Sequence, residues 1–202
     1  MTFLLGLTGS IGMGKSATAG IFRTLGVPVH DADAVVHRLY RGRAAPPIEA
    51  AFPGTVTDGV VDRAKLGAAV LNDPARMREL EAIVHPLVRE EKQSFLRRVS
   101  ALAPVAVLDI PLLFETGGEA GCDATLVVTA PASVQRARVL ARPGMTEEKF
   151  HAILAKQMPD EETRARAHFL VDTSRGFASA EAQVRSILAC LAGRPGRHGR
   201  MR

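Results

Sequence analysis

The densest run of chemistry in the chain is Gly9-Ser10-Ile11-Gly12-Met13-Gly14-Lys15-Ser16, which fits G-x-x-x-x-G-K-[ST]. Glycines at these places let the backbone wrap until consecutive N–H groups point inward at phosphate oxygens, and a helix beginning at Lys15 adds its positive end. Lys15 is expected to reach the β and γ phosphates of a nucleotide, and the Ser16 hydroxyl to join a Mg²⁺ shell. Carboxylates supply the second kind of chemistry. Asp31 and Asp33 follow a short apolar run, where ligands of open α/β sheets bind; Asp33 is the stronger candidate for function, while Asp31 is equally a helix N-cap. Asp109 closes another apolar run and could hold a Mg²⁺ water. His85, alone in a helical pattern, is by itself more often a structural histidine than a site residue.

These residues need elements to position them. Phe3 to Thr8 reads as a buried strand stopped by Gly9, Lys15 to Leu25 as a helix stopped by Gly26, and Val27 to His30 as a second strand. Val105 to Ile110, Thr125 to Thr129 and Phe169 to Asp172 are three more β-branched runs, and a last helix runs from about Ala178 to Leu191. The prediction is an α/β P-loop NTPase fold: a parallel five-stranded sheet with helices on both faces. Roughly seventy helix-rich residues separate the second and third strands, far more than an ordinary connection needs. They form a candidate acceptor-binding helical insertion, about residues 35–99. Residues 142–166, dense in charge and including Arg142, Lys149 and Lys156, read as a helical lid. The core is then about residues 1–34, 100–141 and 167–192, with a basic flexible tail at 193–202.

Composition narrows the partners. No Trp and a single Tyr, Tyr40, leave no aromatic platform for single-stranded bases, so nucleic acid is not the expected partner. Arg194, Arg197, Arg200 and Arg202 place much of the net charge of +5 in the tail, so the body is nearly balanced. Cys122 and Cys190 form neither a CxxC nor a Cys/His ligand pattern, which points to a reducing, cytoplasmic setting. The opening apolar run is too short for a signal sequence or a span, and no membrane partner is expected. The expected state is a monomer. A GTPase is disfavoured because the only Asn, Asn72, precedes Asp73 and Pro74 rather than completing a guanine reader. A kinase needs an acceptor site and a lid that excludes water, and the insertion and the basic block supply both.

The assembled motifs resemble the dephospho-coenzyme A kinase family along essentially the whole chain before the tail. The resemblance rests on Leu7 to Ser16, on Asp31 and Asp33, on His85-Pro86, and on the turn Pro111 to Glu115. It implies ATP-dependent transfer to the ribose 3′-hydroxyl of dephospho-coenzyme A, with ATP and Mg²⁺ as cofactors. It further implies that Asp33 is the base, that Gly9 to Ala17 contact ATP, and that Arg142 contacts its phosphates. Gln157 matches the motif that closes the lid, and His85, Leu113 and Glu115 match acceptor-pocket positions. Three positions depart from the family pattern: Ala17 stands for the usual Thr, Ile153 for a frequent Arg, and His168 for a usual Asp. Two alternatives remain at this stage, a kinase of another small metabolite and a P-loop ATPase or nucleic-acid module using the basic tail.

Overall fold

The computed structural model describes residues 1–197, and its elements follow the punctuation of the sequence. In chain order they begin β1 (Phe3–Thr8), α1 (Lys15–Thr24), β2 (Val29–Asp31), α2 (Ala32–Leu39), α3 (Ala45–Ala51), β3 (Val56–Thr57), β4 (Val60–Val61), α4 (Arg63–Val70) and α5 (Pro74–Val99). They continue with β5 (Val105–Asp109), β6 (Ala124–Thr129), α6 (Ala132–Leu140), α7 (Glu147–Leu154), α8 (Asp160–Ala165), β7 (Phe169–Asp172) and α9 (Phe177–Leu191).

The chain divides into two units, the first formed by Met1–His30 with Arg98–Arg202. It carries a five-stranded sheet in the order β2-β5-β1-β6-β7. Every residue of β1 is buried, as expected for a central strand covered on both faces. β1 pairs in parallel with β5 and β6, and β6 with β7. The register sets Leu7 opposite Asp109 and Thr8 opposite Val127, so three strands end together where β1 turns into α1. Leu5, Leu7, Phe22, Val107, Leu126, Val171 and Val184 belong to a hydrophobic core formed by the sheet and the helices α1 and α9.

The second unit, Asp31–Arg97, is continuous and has its own core of Val35, Leu39, Ile48, Phe52, Leu66, Val70, Leu80 and Val84. Two of its helices start on aspartates that cap them: Asp31 accepts the Ala34 N–H at 2.9 Å to cap α2, and Asp62 accepts those of Ala64 and Lys65 to cap α4. Between them β3 and β4 pair antiparallel around Asp58 and Gly59, both at positive φ. This hairpin is absent from the sequence reading, although an Asp-Gly pair between β-branched residues is a strong turn signal. The surrounding helical composition masked it.

The tail also differs from expectation over its first half. Gly196 donates to the Met1 carbonyl at 3.4 Å and Arg197 N–H to Asp123 at 2.6 Å, so residues 193–197 are tied to the start of the sheet. Asp123 makes this possible, because its other oxygen already accepts the Leu4 N–H and fixes its carboxylate beside β1. The rest of the expected tail, with Arg200 and Arg202, lies outside the described residues.

Phe22 is fully buried between α1 and the sheet. Phe22→Ala should cost about 3–5 kcal/mol of stability through lost transfer energy and the cavity left behind. Urea unfolding monitored by circular dichroism measures this, and a loss below 1 kcal/mol would contradict the packing described.

Candidate active site

Two glycines shape the turn that follows β1. Gly12 and Gly14 have φ of 78° and 96°, a region that side chains rarely occupy. A Cβ on Gly12 would stand 2.5 Å from Val139 Cγ2, and one on Gly14 would crowd Thr173 at 3.0 to 3.2 Å. The turn's carbonyls are drawn outward by side chains. Gln135 Nε2 donates to the Ile11 carbonyl at 2.8 Å, and the Thr173 hydroxyl donates to that of Met13 at 2.8 Å. Arg138 holds Thr173 in turn, donating to its hydroxyl and its carbonyl at 2.8 Å each. At the same end no side chain caps α1, and its first turn carries no acid. The N–H groups opening α1 are therefore offered to an anion, reinforced by the helix dipole.

Lys15 sits at that helix start. Its Nζ meets Asp109 Oδ1 at 2.5 Å, with the side chains 16% and 3% exposed. The strand register brings this about, since Asp109 ends β5 directly opposite Leu7. Ser16 follows with an exposed side chain on the same turn. The Ser16 hydroxyl and the Asp109 carboxylate are hard oxygen donors, which suits Mg²⁺: that ion needs only one or two protein groups when phosphates and waters supply the others. Among the described residues there is no group of three or more His, Cys, Asp or Glu that could make an all-protein metal cage.

Beside the turn lies a cavity of about 350 Å³ walled by Gly12, Gly14, Ala17, Ile21, Phe177 and Ala180, with Arg138 and Arg142 at its polar side. Its size and mix of apolar walls with a few placed cations fit an aromatic base joined to phosphates. Arg142, expected from the family resemblance, lines this cavity; Arg138, Thr173 and Phe177 belong to no motif and were not expected. The turn beneath them is held by Asp172, whose carboxylate accepts the Ser174 N–H at 2.8 Å. Bonds from the Ser174 hydroxyl and N–H keep the Asp172 carboxyl below its usual range.

Residues at the end of the 142–166 block and beside it bond to neighbouring loops of the same unit. Gln157 Oε1 accepts the Ile11 N–H at 3.1 Å, Glu115 accepts the Met158 N–H at 2.9 Å, and Asp160 accepts the Thr129 hydroxyl. Glu115 thus spends one carboxylate oxygen on the segment after α7. Leu113, expected to line a pocket, is fully buried against Gly6 and Gly118, so it shapes the turn and offers no surface to a ligand. His168 Nδ1 lies 2.9 Å from the Thr125 hydroxyl and joins the starts of β6 and β7. Asp33 and His85 belong to the Asp31–Arg97 unit, both exposed, Asp33 in the first turn of α2 and His85 on α5. No hydrogen bond or ion pair engages the Asp33 carboxylate among the described residues. Asp31, by contrast, is committed to its cap.

Comparison with known proteins places this geometry in context. Residues 3–179 match the family model described as Dephospho-CoA kinase. A protein named Dephospho-CoA kinase from Mesorhizobium japonicum is 64% identical over 194 residues, 96% of this chain and 98% of that protein. One of the same name from Rhodopseudomonas palustris is 60% identical over 195 residues, with the same coverage of 96% and 98%. Among solved structures, TT1252 from Thermus thermophilus superposes with a TM-score of 0.84 at 39% identity, covering 95% of this chain and 99% of that one.

Gly14→Ala should abolish measurable nucleotide binding by calorimetry, since the added methyl meets Thr173 and strains φ, while far-ultraviolet dichroism stays that of the native fold. Undiminished affinity would refute the role given to this turn. The lowered Asp172 carboxyl sets a pH signature: its stabilisation is fully present above about pH 4, the ordinary carboxylate value, and is lost as pH falls through the lowered folded value. The melting-temperature gap between wild type and Asp172→Asn should therefore close on acidification. A gap that widens would reverse the sign.

Proposed function

The chain belongs to the dephospho-CoA kinase family, and on that premise we propose how its residues divide the transfer of a phosphoryl group from ATP to the ribose 3′-hydroxyl of dephospho-coenzyme A. The reaction yields coenzyme A and ADP, the final step of coenzyme A synthesis. The observation that carries the assignment is the phosphate loop itself, with its carbonyls tied back and the first turn of α1 left without a side-chain cap.

Gly9 to Ala17 bind the nucleotide, backbone N–H groups taking the phosphate oxygens. Lys15 and Arg142 add positive charge where it develops on the transferring group, the largest source of rate in such chemistry. Mg²⁺, when bound, neutralises charge between the β and γ phosphates, and Ser16 with Asp109 would hold it. Asp33 orients the acceptor hydroxyl and takes its proton. Its carboxylate is uncommitted, whereas that of Asp31 caps α2, which favours Asp33 over its neighbour. His85 and Glu115 contact the acceptor, Leu113 shapes the turn that carries Glu115, and Gln157 docks the lid on the loop. Closure around the acceptor keeps water from the γ phosphate, so hydrolysis does not compete. Among the described residues no helix is long and apolar enough to cross a membrane, and the reading includes a cytoplasmic monomer.

Two substitutions test the division of labour, with ADP release followed on dephospho-coenzyme A. Lys15→Ala should lower kcat by about a hundredfold or more, the scale of one lost transition-state donor. Asp33→Asn keeps shape but cannot take a proton, so turnover should fall at least about a hundredfold with ATP affinity little changed. An Asp33→Asn enzyme within a few-fold of wild type would exclude Asp33 as the base.

A further inference from the structure

The loop between β5 and β6 carries Glu115, and one residue outside the loop grips it on both sides of that glutamate. Arg166 closes α8 as its C-terminal cap. Its Nη2 donates to Glu119 Oε1 at 2.5 Å, and its guanidinium carbon lies 4.6 Å from the centre of the Phe114 ring. Phe114 immediately precedes Glu115 and is buried, while Glu119 lies in the short 3-10 turn Gly118–Gly121. Glu115 sits exposed between these two held points.

The contact differs from an ordinary surface ion pair, which contributes little to a fold. Glu119 Oε2 is buried without a hydrogen-bond partner, so among the described residues Arg166 is the one cation paired with this carboxylate. The same guanidinium lays its flat face over Phe114 while its edge meets the acid, a double use that only arginine allows. The other end of α8 is fixed separately. Asp160 accepts the Thr129 hydroxyl of β6 at 3.0 Å, and the Met158 N–H, just before the helix, donates to Glu115 Oε1 at 2.9 Å. One Glu115 oxygen is thus tied down from the start of α8, and the loop around it is tied from the end. The second Glu115 oxygen has no partner among the described residues.

We propose that Arg166 is a positioning residue for the acceptor: by holding Phe114 and Glu119 it fixes the backbone from which Glu115 presents its remaining oxygen to a hydroxyl or N–H of dephospho-coenzyme A. The proposal rests on Glu115 contacting the acceptor. Without Arg166 the Glu119 carboxylate turns to water, the Phe114 ring loses its cover, and the exposed tip between them samples several conformations. Only a fraction of these bring Glu115 to the acceptor, and apparent affinity falls by that fraction. The loss belongs to acceptor binding rather than to the transfer step. The nucleotide turn is met by Gln157 and not by Arg166, so ATP use is spared.

Kinetics on the full chain test this, each substrate being varied at saturating levels of the other. Arg166→Ala should raise KM for dephospho-coenzyme A about tenfold, the low end for a lost hydrogen bond to a charged group, with kcat and KM for ATP within about twofold of wild type. Arg166→Lys keeps the charge without the stacked face and should fall between. In a double-mutant cycle Glu115→Ala alone should raise the same KM about tenfold or more, and adding Arg166→Ala should change it by less than about twofold, since no carboxylate is left to position. A merely structural brace would give an equal Arg166→Ala penalty in both backgrounds, or a lower Tm with unaltered kinetics. Either result would overturn the proposal, as would a KM for ATP that rises in step. Glu115→Ala with the wild-type KM would remove Glu115 from the acceptor site and the proposal with it, leaving Lys15 and Asp33 in their roles.

Discussion

The contact between Lys15 and Asp109 is the constraint around which the first unit is arranged. Two charges taken this far out of water are costly, and their separation of 2.5 Å offsets much of that cost. Removing one partner of such a pair typically costs about 3–5 kcal/mol, since the remaining charge is left uncompensated. The pair therefore requires β1 and β5 to be neighbours in one register, with Leu7 opposite Asp109, and α1 to start within one turn of β1. Those are the requirements of a phosphate-binding turn. The same lysine that satisfies the fold is the cation at the start of α1, beside the glycine turn.

The turn is steadied from the other side by groups drawn from distant parts of the chain. Arg138 on α6 and Thr173 after β7 fasten the Met13 carbonyl, Gln135 fastens that of Ile11, and Gln157 takes the Ile11 N–H. Side chains with other partners cannot easily rotate away, so the loop is preorganised before any anion arrives. Preorganised donors lose little energy in reorientation during reaction, which is why such sites outperform water.

Much of this was legible in the residues themselves. Short apolar runs bounded by Gly and Asp located all five strands of the main sheet within two residues, because a parallel sheet buried on both faces demands continuous hydrophobic strands. The loop motif marked its own position, since glycine, lysine and serine are each needed for a different physical reason. Besides the hairpin and Phe177, other features escaped. Arg138 and Thr173 act through a relay across sequence-distant elements, and nothing local distinguishes them from a surface arginine and a strand-end threonine. Leu113 was read from its motif as pocket lining, yet burial depends on the packing of Gly6 and Gly118, which spacing does not reveal. The end of the chain looked free on composition, but Asp123 reaches it from another loop.

The division of the chain carries a consequence for how it is made. The second unit is one uninterrupted segment, whereas the first is assembled from Met1–His30 and Arg98–Arg202. β1 is synthesised first and is apolar throughout, yet its partners Val105 and Ala124 emerge long afterwards. Local contacts form before distant ones because closing a long loop costs entropy that only the finished pairing repays. A compact segment with its own core between the two halves shortens the loop to be closed. Early condensation of the insertion would shorten the chain between β1 and β5, and with it the time an unpaired apolar strand stays exposed to aggregation.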